Sequence, residues 1–144
     1  RDTAEWFFKQ LKVENWERTI IALRELGKDI FNWFVMPFLR FHAVEKSRLD
    51  LVGERLISEI VRTLGCPRET VVLEVMNSSF ISGENPSPAY PFVKVEYFKR
   101  PLEQQNVVAK IIFECLKEIG YPESDVYFSF LEKDCYYENG EVIK

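Results

Sequence analysis

A chain of 144 residues with 47% apolar residues is long enough to bury a core as one domain, and general disorder is excluded. A formal net charge of −4 and a pI near 5.2 exclude a basic surface of the kind that holds nucleic acid. No apolar run reaches the roughly 18 residues of a membrane span, and charges interrupt each apolar stretch near the N-terminus, so no signal peptide is expected there.

In chain order, the first segment, residues 1–36, is aromatic-rich and holds Trp6, Trp16 and Trp33. Trp16, Ile20, Leu23 and Ile30 recur at near-helical spacing, and Gly27 is a stop signal. Helices are predicted near 3–12 and 14–26. The pattern changes at Met36-Pro37, so residues 1–36 are taken as a helical extension and 37–144 as the main domain.

Phe38 to Val44 alternates as a strand does, with Leu39, Phe41 and Ala43 on one side. Ser47 and Asp50 form a short capping signal. A helix then carries Leu49, Val52, Leu56, Ile60 and Leu64 on one face, and Gly65 and Pro67 end it. Thr70 to Met76 is rich in β-branched residues and reads as a second strand. Residues 77–91, with Gly83, Pro86, Pro88 and Pro91, read as a loop. Phe92 to Phe98 is a third strand. Pro101 suits a helix start, and Val107, Val108, Ile111, Cys115, Leu116 and Ile119 form the face of the helix after it. Gly120 and Pro122 end this helix, Asp125 to Leu131 is a fourth strand, and Asn139-Gly140 signals a terminal hairpin.

The two halves align without gaps at an offset of 55 residues. Val52 matches Val107, Leu56 matches Ile111, and Leu64-Gly65-x-Pro67 matches Ile119-Gly120-x-Pro122. Two strand–helix–strand units in tandem predict an α/β (α+β) fold: a four-stranded sheet with two helices on one face. A ferredoxin-like domain uses the same element order, and periodicity alone does not separate the two; strand order does. On the uncovered face, Arg40, His42, Glu74, Lys94 and Glu96 alternate into register with Phe38, Val72, Phe92 and Phe98. A mixed apolar and charged face predicts contact with other subunits, hence a homo-oligomer.

The three cysteines, Cys66, Cys115 and Cys135, have no short spacing, and His42 is the sole histidine. No disulfide framework, metal site or cofactor motif is predicted, and reduced thiols suit a cytoplasmic protein. A Cys–His nucleophile would have to use His42, and nothing local supports one.

Met36-Pro37-Phe38-Leu39-Arg40-Phe41, then Tyr90-Pro91-Phe92-Val93-Lys94-Val95, then Arg100, and finally Tyr136-Tyr137-Glu138-Asn139-Gly140 carry a resemblance. They are similar to an uncharacterised bacterial family, a domain of unknown function, in the tautomerase superfamily. That superfamily includes 4-oxalocrotonate tautomerase and macrophage migration inhibitory factor (MIF). The resemblance covers residues 36–144. It implies the tautomerase/MIF-like fold, trimeric assembly, and keto–enol isomerisation of a small keto acid by an amino-terminal proline. Pro37 is then the catalytic acid/base. Arg40 and Arg100 are candidates to bind a substrate carboxylate, and Tyr97 or Tyr137 to donate to the substrate oxygen.

The chain departs from that pattern in one respect. Here 36 residues precede Pro37, so its nitrogen is a tertiary amide with no lone pair for proton abstraction. Pro37 works as a base only where it becomes the terminus. The alternative is a non-catalytic oligomeric module whose aromatic extension serves assembly or partner binding.

Overall fold

The computed structural model describes residues 37–81 and 90–143. The two helices expected before residue 27 lie outside the described residues, as does the middle of the 77–91 loop. Strand β1 (Phe38–His42) leads through a short helix α1 (Lys46–Leu49) into α2 (Gly53–Leu64) and β2 (Val72–Met76). The second unit is β3 (Phe92–Phe98), α3 (Leu102–Glu118) and β4 (Asp125–Leu131). A two-stranded ribbon, β5 (Tyr137–Glu138) with β6 (Glu141–Val142), follows.

The sheet order is β2-β1-β3-β4. β1 and β2 run parallel, as do β3 and β4, and β1 meets β3 antiparallel. Each unit's strands are therefore neighbours. A ferredoxin-like domain would split them, so strand order decides for the tautomerase-like arrangement.

Burial follows the two-residue period of the strands. Leu39 and Phe41 of β1 and Val93, Val95 and Tyr97 of β3 turn to the helices and are buried. Leu56, Ile60 and Leu64 of α2 and Val108, Ile112 and Leu116 of α3 meet them at three- and four-residue spacing. Each such aliphatic side chain contributes on the order of 2 kcal/mol by leaving water. Both helices lie on this one face, where Arg55 of α2 donates to Glu118 and Cys115 of α3.

The predicted helix from Ser47 onward divides in two. Over residues 50–52 the backbone bonds tighten to three-residue spacing, Leu51 N–H to the Arg48 carbonyl and Val52 N–H to the Leu49 carbonyl, each 3.1 Å. This tighter turn buries both Leu49 and Val52. Ser47 caps nothing; the N-cap is Glu45, with no side-chain bond. β1 ends two residues early because Ala43 adopts φ 60°, and β2 starts two residues late behind a 3₁₀ turn at Arg68–Thr70.

The repeated glycines end both helices in left-handed backbone, Gly65 at φ 67° and Gly120 at φ 102°. A Cβ on Gly120 would also sit 3.1 Å from Arg48 Nη1. Gly65→Ala and Gly120→Ala are each expected to cost about 1 kcal/mol in urea denaturation. Gly53→Ala, where a Cβ meets nothing within 4 Å, is expected to be neutral or to stabilise by up to about 1 kcal/mol. Equal effects at all three positions would contradict the backbone argument.

Candidate functional site

One end of the sheet gathers the start of β1, the end of β3, the end of α2 and the start of α3. Pro37 stands at the start of β1 with its side chain under 2% exposed. Its carbonyl accepts the Val72 N–H at 3.0 Å, which fixes it to β2. Phe38 pairs with Glu96, so one further step along the ladder sets Pro37 opposite Tyr97. Alternation places both on the helix side, with Leu39 and Phe41.

Tyr97 is 1% exposed, with its ring against Phe128 and stacked on Phe130 at 6.2 Å. Its hydroxyl has no hydrogen-bond partner. Burial pushes the phenol up to about 12, and the nearby Arg100 charge opposes that rise. Arg100 donates from Nη1 to the carbonyl of Leu64, the last residue of α2, at 2.9 Å. Burial lowers the Arg100 pKa from the usual arginine range, while Cys66 and Tyr97 beside it raise it. Arg100 thus ties the β3–α3 link to the end of α2 and holds a guanidinium in this corner.

Pro37, Tyr97 and Arg100 are therefore brought together. Arg40 does not join them. It lies on the opposite face of the sheet, 3.3 Å from Glu74, also paired with Glu96, and over the Phe38 ring. Tyr137 is exposed on the terminal ribbon. His42 is at the far end of β1, stacked on Phe92 at 4.4 Å with Nδ1 3.4 Å from Ser78 Oγ.

Phe130 adjoins the corner, and Gln104 lies at the start of α3. Phe130 is 41% exposed beside Tyr97, with the Lys99 ammonium 5.8 Å from its centroid. Gln104, in the first turn of α3, has a buried amide oxygen with no partner. Its signal was a polar side chain one turn before Val108, on the stripe that continues to Ile112 and Cys115. An open cleft of about 640 Å³ at the other end of the sheet is lined by Val44, Lys46, Ser47, Met76, Asn77 and Ser78, and holds none of these residues.

The sequence profile of DUF1904, a domain of unknown function, matches residues 36–142. No protein of curated function matches the chain. A protein of unknown function from Vibrio cholerae shares 26% identity over 75% of this chain and 88% of its own, with a TM-score of 0.67. A DUF1904 domain from Sebaldella termitidis shares 24% identity over 74% of this chain and 99% of its own, with a TM-score of 0.69. Fused 4-OT, solved as an asymmetric trimer, matches at 14% identity over 74% of this chain and 95% of its own, with a TM-score of 0.62. MIF2 of Leishmania major matches at 17% identity over 75% and 97%, with a TM-score of 0.59. These last two likenesses establish the fold, which is tautomerase/MIF-like.

Proposed function

We propose that this chain, which belongs to the DUF1904 family, carries a keto–enol proton-transfer site in residues 37–144, active where Pro37 is the amino terminus. The observation that carries the reading is the convergence of Pro37, Tyr97 and Arg100 on one buried corner of a tautomerase-like fold. A terminal proline amine has a reference pKa near 8, and burial beside a guanidinium disfavours its charged form. That poises it to take a proton from carbon and return it at another atom near neutral pH. Arg100 would hold the carboxylate of a small keto acid, and Tyr97 would donate to the oxygen where charge develops.

The uncovered sheet face supports a homo-oligomer, with a trimer as the favoured form. Arg40, Glu74, Glu96 and Lys94 neutralise one another there, beside Phe38, Phe92 and a 47%-exposed Tyr127. Among the described residues no helix is long and apolar enough to cross a membrane; free thiols at Cys66, Cys115 and Cys135 support a cytoplasmic location.

A second reading rests on the amide at Pro37. With residues 1–36 retained the amine is absent, and the protein is then a non-catalytic oligomeric module. Phenylpyruvate and the full chain separate the two readings when compared with a chain beginning at Pro37. Turnover confined to the shorter chain supports the enzyme. No turnover by either, with a change of oligomer mass in light scattering when residues 1–36 are removed, supports the module.

A further inference from the structure

Pro37, Tyr97 and Phe130 form one row across the sheet. Tyr97 pairs with Phe130 on β4, and the β1–β3 ladder, continued one step past Phe38 and Glu96, sets Pro37 opposite Tyr97. Neighbouring strands lie about 4.8 Å apart, so two spacings, roughly 10 Å, separate the Pro37 and Phe130 backbones. The Tyr97 and Phe130 rings stack at 6.2 Å, which puts Phe130 on the side of the sheet that Tyr97 faces.

Burial stops at the end of this row. Tyr97 is 1% exposed and Pro37 under 2%, whereas Phe130 is 41% exposed. β4 is an edge strand, so no further strand of the sheet shields it. Besides Tyr97, the described group over the Phe130 ring is the Lys99 ammonium, 5.8 Å from its centroid and on an exposed side chain. A large aromatic ring left half open forfeits part of the stabilisation that its burial would bring.

The chain joins the sheet at the other end of the same row. Residue 36 is bonded to the Pro37 nitrogen, so the aromatic-rich residues 1–36 are tethered there. Trp33 stands four residues before Pro37. Four residues span at most about 14 Å, enough to cross the roughly 10 Å to Phe130. Four is also an even number of strand steps and close to one helical turn, so with either period Trp33 turns to the side that Pro37 faces. A tether this short holds the indole near Phe130 at an effective concentration on the order of millimolar, so even a modest contact is populated. Indole is also the side-chain ring that attracts a lysine ammonium most strongly, and Lys99 is in place to meet it.

We infer that Phe130 is the docking site for Trp33 of the same chain, so that residues 33–36 lie across the row and cover the Tyr97 corner for as long as they are retained. This docking follows from the geometry of the row and needs no reaction at Pro37.

Trp6, Trp16 and Trp33 are the tryptophans of the chain, so indole fluorescence reports on residues 1–36 alone. In the full chain, Trp6→Phe with Trp16→Phe leaves Trp33 as the sole reporter. Phe130→Ala in that background is expected to shift its emission to the red and to raise acrylamide quenching about twofold or more, because the aromatic partner is lost. Phe130→Leu, which keeps apolar area, should raise it less. Leu51→Ala, at a 79%-exposed position between α1 and α2, beyond the far end of β1, should change nothing. A nuclear Overhauser contact between the Trp33 indole and the Phe130 ring, measured with Phe130 intact, should show the docking directly. Quenching that Phe130→Ala leaves unaltered, or that Leu51→Ala raises equally, overturns the inference. So does protection of Trp33 that grows with protein concentration, which would seat a second copy on Phe130. Where Phe130→Ala fails to fold by circular dichroism, the Overhauser contact decides, and its absence overturns the inference.

Discussion

Pro37→Ala, in a chain that begins at residue 37, is expected to lower the rate of phenylpyruvate tautomerisation by about 10²–10⁴-fold, the contribution of a positioned general acid/base. Alanine leaves an amine at the terminus, so the loss measures placement as well as basicity. The pyrrolidine ring locks φ and gives the nitrogen one orientation. The Pro37 ring is buried on the helix side, and the bond from Val72 N–H to its carbonyl holds it against β2. A primary amine on alanine has no ring to pack there and rotates freely about its terminal bond. The rate with proline should rise with pH as the amine loses its proton, and level off below the ordinary α-amine value near 8, because burial favours the neutral form. In the full chain the same substitution should change nothing, since an amide is inert in either variant. An undiminished rate in the short Pro37→Ala chain would exclude the proline from the chemistry.

Much of this was legible in the sequence. β3 and β4 fall on their predicted bounds because their alternation is clean and each opens beside a proline or a polar turn. Asn139-Gly140 gives the ribbon turn its two positive φ values, 53° and 81°. The repeated Gly-x-Pro exits mark both helix ends because left-handed backbone there demands glycine. The site was legible only in part. The two-residue period that puts Arg40 on the open face also separates it from Pro37, an odd position with Leu39 and Phe41. A carboxylate ligand suggests arginine without saying on which face it lies. The division of the first helix follows from tertiary burial of Leu49 and Val52, which overrides the Ser47-x-x-Asp50 signal. Gln104 looks like any exposed glutamine until the fold buries its amide oxygen.

Tyr97→Phe should expose the conflict between stability and function at that corner. The hydroxyl is buried without a partner, so removing it is expected to stabilise the fold by about 1 kcal/mol in urea denaturation at pH 7. The same substitution should flatten the alkaline limb of stability. Burial pushes the Tyr97 phenol up to about 12 from the ordinary value of 10.0, so between those values the unfolded chain has lost this proton and the folded chain keeps it. The unfolded state then binds fewer protons, and stability falls as pH rises through this window, by about 2 to 3 kcal/mol in all. Below pH 10 the contribution is fully present, and phenylalanine removes this share of the dependence, leaving that of Tyr90 and Tyr136, whose phenols burial also pushes up. Turnover by a chain beginning at Pro37 should move the other way, falling about 10²-fold, because a preorganised donor to the developing oxyanion is gone. A stability gain with undiminished turnover would mean that the hydroxyl serves no substrate. A stability loss at pH 7 would mean that it already has a partner in the protein, and that the corner is satisfied without any ligand.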